Sequence, residues 1–191
     1  MAQVVATVTN VARQYWPQFF GGIATPWTPQ FTYFKIGRGG WINPGGGPVP
    51  RIADPTLQDL DVIQNTSRYL PNIGTEGAGP GNIYYWKNAL IGANFSFATP
   101  TTLQIRCILD FGQFNDIQGV PSSPPGGPVL SPSGTNPQLW ELGIFSAPPP
   151  GYTSPTASAG NPNLLMVVYG TFAAETKTVA AQLENDCLIT F

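Results

Sequence analysis

The stretch Asn136-Pro137-Gln138-Leu139-Trp140-Glu141-Leu142-Gly143-Ile144-Phe145 decides the fold. It is answered, after a Pro-, Ser- and Gly-rich spacer, by Leu164-Leu165-Met166-Val167-Val168-Tyr169-Gly170-Thr171-Phe172. The two runs read as strands around an oversized loop, closing toward a final strand from Cys187 to Phe191. Upstream, Leu103, Ile105, Cys107, Leu109 and Phe111 alternate with Gln104, Arg106 and Asp110, the period of a half-buried strand. Phe95-Ser96-Phe97 leads into it, and Phe31 to Ile36 is rich in aromatic and β-branched residues.

The N-terminal third mixes periods. Val4, Val8, Val11, Ala12 and Tyr15 fit one helical face, and Thr9 or Asn10 can cap a short helix near Asn10 to Trp16 that Pro17 limits. Asp54-Pro55 offers a second helix start, an acceptor at the cap and proline at the first helical position, with Leu57, Leu60 and Ile63 as its buried stripe. Gly37 to Pro50 reads as a glycine loop, and Ile83 to Ile91 as strand or short helix. The expected fold is mainly β: an antiparallel β-sandwich-like domain with one or two short helices in its first third and long Pro/Gly-rich loops. Residues 1–191 form one domain, with 1–50 as a candidate extended N-terminal arm and exposed long loops at 119–137 and 146–162.

Composition narrows the function. Charged residues are 9% of the chain, against roughly 25% in ordinary globular domains. Hydrophobic content of 42% is too high for a disordered chain, so the 22 glycines and 21 prolines belong to the loops of a folded one. A surface with few charges suits close subunit contact, because desolvating an unpaired charge is expensive. The net charge of −2, with basic residues scattered singly, gives no footprint for nucleic acid. No apolar run approaches the roughly 18 residues of a membrane span, and no secretory leader is evident at Met1 to Val11, so a soluble intracellular product is expected.

The chain has no histidine, which removes the commonest general base and every His-bearing triad. Asp59 with Asp61, or Asp110 with Asp116, are the carboxylate pairs to test for glycosidase-like chemistry, but residues two apart on a helix do not face each other. The bland reading of Asp59 and Asp61 is a solvated helix face. Gly37-Arg38-Gly39-Gly40 fails as a dinucleotide fingerprint because Ile42 stands where the pattern needs glycine; a turn for close backbone packing is the reading kept. Cys107 and Cys187 lie on apolar sides of their strands and read as buried free thiols, since two cysteines without histidine make a poor zinc site. Catalytic, cofactor-binding and metal-ligating residues are therefore expected to be none, and an enzyme is not expected. Glu141, within an apolar strand, is either paired with an arginine such as Arg51 or Arg106 or exposed to solvent. Trp41, Tyr84-Tyr85-Trp86 and Tyr152 suggest an alternative function, a platform for a host glycan.

The order of blocks resembles tailed-bacteriophage tail-collar, fibre-attachment or baseplate proteins. The residues that carry the likeness are Phe34-Lys35-Ile36-Gly37 with Gly39-Gly40-Trp41, Val49-Pro50-Arg51, Asp54-Pro55-Thr56-Leu57, Leu139 to Phe145, and Leu165 to Phe172 ahead of Lys177-Thr178. They cover about two thirds of the chain in scattered pieces. The family hairpin after the Ile-Phe strand is usually tight, whereas here Ser146 to Asn163 intervenes. The resemblance implies a structural virion component of the tail, baseplate or neck, an oligomeric assembly or fibre-anchoring protein whose partners are copies of itself and other virion proteins. Assembly contacts are expected in the long loops, at Pro124, Pro125, Pro128, Pro148, Pro149 and Tyr152. Ordered proline loops lose less entropy on docking than glycine loops do.

Overall fold

A computed structural model describes residues 2–15, 17, 30–42, 44, 48–61, 77–78, 84–87, 90, 92–110, 138–157, 163–177 and 182–190. The chain is mainly β. Its strands are β1 (Ala2–Val8), β2 (Phe31–Gly37), β3 (Trp41–Ile42), β4 (Val49–Pro50), β5 (Gly77–Ala78), β6 (Tyr84–Lys87), β7 (Phe95–Thr99), β8 (Thr102–Leu109), β9 (Gln138–Ser146), β10 (Leu165–Thr176) and β11 (Leu183–Thr190). Nine of them form one sheet in the order β5-β6-β2-β9-β10-β1-β11-β8-β7, and β3 with β4 forms a small second one.

The two runs that decide the fold pair with each other. β9 and β10 are antiparallel over Leu165↔Ser146 to Thr176↔Gln138, with irregularities between Met166 and Val168 and between Thr171 and Glu175. β2 adds to the other edge of β9, from Phe31↔Ser146 to Gly37↔Glu141. β8 and β11 pair over eight residues, and β7 closes that end.

β1 joins the two halves. Ala2 to Val4 pair with β11, while Val5 to Val8 pair with β10. The β1–β11 pair is parallel, which makes the sheet mixed and corrects the expected purely antiparallel arrangement. The physical reason is that no hairpin links these strands, which lie at opposite ends of the chain, so no tight turn imposes antiparallel direction. The first 50 residues supply two strands inside the sheet where an extended arm was expected.

The sheet curls until its ends meet. Phe31 of β2 stacks on Phe95 of β7 with ring centroids 6.3 Å apart, and Lys87 Nζ of β6 donates to the carbonyl of Ile108 in β8. The main core lies inside this curl: Val4, Phe34, Ile36, Ile105, Cys107, Leu109, Leu142, Ile144, Phe172, Cys187 and Ile189 are all buried there. Both thiols are free and buried, adjacent on β8 and β11, as their alternation predicts.

The first of the two expected helices forms, and near the second expected start helical backbone is reached only at Asp61. α1 (Asn10–Arg13) is one turn, with Thr9 at its N-cap accepting from the amide of Ala12. At Asp54-Pro55 the chain makes a turn where a helix was expected: the Asp54 carboxylate accepts from the amide of Thr56 at 2.9 Å and from its hydroxyl at 2.7 Å. Asp54 thus finds a local partner that satisfies it without a helix. The expected glycine loop at Gly37 to Pro50 carries the β3–β4 pair, with β4 at its far end: Trp41↔Pro50 and Ile42↔Val49. Residues 119–137, Ile63 and Asp116 lie outside the described residues.

Candidate functional site

The central strands are buried on both faces, which is why Leu164 to Phe172 shows no alternation. On the face away from the main core sits a second cluster of Leu57, Leu60, Phe145, Leu164, Met166 and Tyr169, with Tyr33 and Ala53 against it. The segment 51–61 forms its lid. Leu60 enters a hollow left by Gly37 and Gly143: a Cβ on Gly37 would stand 2.9 Å from Leu60 Cδ1, and one on Gly143 3.1 Å from Leu60 Cδ2. Glycine is needed here for close approach, as the sequence suggested.

Glu141 lies at the centre of this face and is fully buried. Its Oε1 accepts from the amide of Gly39 at 3.0 Å; its Oε2 accepts from the amide of Asp61 at 2.7 Å and from the Tyr169 hydroxyl at 3.0 Å. The expected solvent exposure of Glu141 and its expected pairing with Arg51 or Arg106 are corrected. It is not at the surface, and the two arginines considered for it pair elsewhere: Arg51 with Asp61 at 2.8 Å and Asp54 at 3.6 Å, Arg106 with Asp186 at 3.1 Å. Backbone amides of the glycine turn and of the lid reach this carboxylate because glycines let the main chain come close. Gly40 adopts φ +77, and a Cβ there would lie 2.8 Å from that of Glu141, so a side chain is both strained and blocked. Burial, then the charges of Glu141 and Asp61, push the Tyr169 phenol well above its ordinary value. It stays a hydrogen-bond donor.

Asp61 extends the node, accepting from the amide of Gly40 at 3.2 Å and from Arg51. Arg51 in turn is held by its own backbone: its amide donates to Gly40 and its carbonyl accepts from the Thr171 hydroxyl at 2.6 Å. Asp59 is not on a solvated helix face. It is buried and ion-paired with Lys35 of β2 at 2.9 Å, and Lys35 Nζ lies 4.5 Å from the centre of the Phe145 ring. The Thr156 hydroxyl donates to Asp59 Oδ2 at 2.6 Å, so the long β9–β10 loop is fastened to the lid. The two aspartates engage different groups, Asp59 with Lys35 and Asp61 with Arg51. Asp110 is exposed on Lys87 and Gln182.

Of the expected assembly residues, Pro124, Pro125 and Pro128 fall outside the described residues. Pro149 is buried, Pro148 is half-buried, and Tyr152 packs on the main core with its hydroxyl 3.4 Å from Gln58. Part of the loop expected to be exposed is therefore folded onto its own chain, tied further by Asn163 to Tyr152 and Ser154. Trp41 is half-buried and its indole N–H donates to the carbonyl of Arg38 at 2.9 Å. Among the described residues, the exposed large apolar side chains are Ile52 at 90%, Phe97 at 74%, Val5 at 68%, Ile42 and Val49. Four of these lie on segments joined to one another: Val5 is paired with Thr171, Thr171 bonds Arg51, Ile52 follows it, and Ile42 pairs with Val49 in the adjoining small sheet. Sequence reasoning missed this patch because its members are scattered over β1, β3, β4 and the 51–61 segment.

Among the described residues no group of three or more His, Cys, Asp or Glu is placed to hold a metal ion, and no helix is long and apolar enough to cross a membrane. No family model, curated protein or solved structure matches this chain.

Proposed function

We propose that this chain is a structural component of a tailed-bacteriophage virion, placed in the tail, baseplate or neck, where it forms an oligomeric assembly or anchors a fibre. One observation supports the reading most. The scattered blocks that resemble the tail-collar and fibre-attachment proteins, at 34–41, 49–57, 139–145 and 165–172, pack together around Glu141 and its lid. Blocks of a shared frame are expected to meet in this way.

The apolar patch of Val5, Ile42, Val49 and Ile52 adds a surface on which another subunit can sit, and it replaces the 146–162 loop as the first place to look for contacts. The glycan alternative gains nothing from Trp41, whose polar rim atom is already engaged. The test is to raise an antibody to the recombinant chain and probe purified particles after a high-salt wash. Retention at a fixed copy number per particle is expected. Recovery only in the soluble fraction of infected cells would overturn the proposal.

A further inference from the structure

Lys35 and Asp59 meet in the second core from elements 24 residues apart. Lys35 Nζ is 2.9 Å from both Oδ1 and Oδ2, and the two side chains are 1% and 2% exposed. We infer that this pair is a site of spontaneous cross-linking, in which the Lys35 amine condenses with the Asp59 carboxyl to an isopeptide amide that bolts the lid to β2.

The geometry is that of a reacting pair. A nitrogen 2.9 Å from both carboxylate oxygens lies, by carboxylate geometry, no more than about 3.3 Å from the carbon between them, within reach of attack. Burial favours the neutral amine: it is the largest influence on Lys35 and lowers its basicity, against the opposing pull of the Asp59 charge. The electrophile is also prepared: Oδ1 accepts from the amide of Leu60 at 2.8 Å and Oδ2 from the Thr156 hydroxyl at 2.6 Å, donors that stabilise charge building on oxygen.

The atoms balance without any co-reactant. An ammonium proton first moves to Oδ2, leaving a neutral amine and a carboxylic acid. The nitrogen lone pair then forms the C–N bond to Cγ, and a second proton passes from nitrogen to Oδ2. The Thr156 hydroxyl, 3.0 Å from that of Ser154, is placed to relay it. The C–O bond breaks and Oδ2 departs as water, while Oδ1 remains as the amide carbonyl on the Leu60 N–H. Two buried charges vanish, which a low-dielectric site favours, and the lack of solvent at the pair hinders the reverse hydrolysis.

Intact-mass spectrometry of the folded whole chain, denatured after prolonged incubation, tests this directly. The expected product is lighter than the uncondensed polypeptide by one water, with trypsin failing to cut after Lys35 and a branched peptide joining Lys35 to Asp59. Lys35→Arg and Asp59→Ala should keep the uncondensed mass, and Asp59→Asn should reach the same cross-link by expelling ammonia. Should a variant fail to fold, the wild-type peptide map alone decides. A wild-type chain at full mass with linear Lys35 and Asp59 peptides would overturn the proposal, and so would a water loss at Asp59 with Lys35 still open to trypsin.

Discussion

At position 141 a carboxylate does what no apolar side chain of similar size could: it gathers two amides from separate loops and a phenol from the neighbouring strand. Removing it leaves those donors facing an interior with no acceptor, at about 1–3 kcal/mol each. Glu141→Ala should therefore lose about 3–5 kcal/mol of stability, read as a lower urea midpoint, and Glu141→Gln a smaller amount because one oxygen remains. A Glu141→Ala midpoint equal to that of the unaltered chain would show that the node is not formed. The thiols carry a different expectation. Burial pushes the Cys187 thiol up to about 12 from an ordinary 9.0, and Cys107 is likewise pushed well up. Between those values the unfolded chain has released protons that the folded chain still holds. Stability is thus flat below about pH 9 and falls as pH rises toward about 12, by about 1.4 kcal/mol per pH unit for each thiol. Urea midpoints at about pH 8 and about pH 10.5 should show the drop, and Cys187→Ala should remove its share.

At the scale of elements, the long β9–β10 loop is part of the lid's support. In a Lys35→Arg chain, which keeps Asp59 as a carboxylate, Thr156→Val removes one charge-assisted hydrogen bond to Asp59 and should cost about 1.5–3 kcal/mol while speeding thermolysin cleavage within 147–157. Unchanged proteolysis would mean the loop is held by Tyr152 and Asn163 alone. β7 is the contrasting case: Phe97 is at the sheet edge and mostly exposed, so Phe97→Lys should leave stability within about 0.5 kcal/mol. The strands legible in the sequence were those with one clear signal. β8 alternates cleanly, and β9 and β10 stand out as apolar runs between breakers. β1 was hidden because Val4 and Val8 are four apart, a spacing that satisfies a strand's period of two and a helix's face alike. The short cap at Thr9 was readable because capping is local chemistry. The roles of Asp59 and Glu141 were not. Their donors come from residues as far as 102 positions away, so no local pattern could announce them. The glycine turn is the intermediate case: close packing was foreseen at Gly37 to Gly40, but not the carboxylate it packs against.

At the scale of the molecule, two faces of one curled sheet have different duties. The inner face closes the main core, and the outer face is roofed by the 51–61 lid, beyond which Val5, Ile42, Val49 and Ile52 stand in solvent. Ile52 is 90% exposed beside Arg51, whose side chain is held by Asp61 and Asp54, so the apolar group sits on an anchored support. Residues presented on an anchored support lose little order when a neighbour covers them, which favours association over a mobile display of the same side chains. If this surface joins subunits, a charge placed on it must be desolvated on contact at a cost of several kcal/mol. The double variant Val5→Asp, Ile52→Asp should therefore keep the urea midpoint of the parent to within about 1 kcal/mol, since both positions are exposed. It should shift the mass seen by light scattering at high protein concentration from oligomer to monomer. It should also disappear from salt-washed particles when supplied in place of the parent. A variant that folds, associates and enters particles as the parent does would remove this surface from the assembly and return the search to the loops.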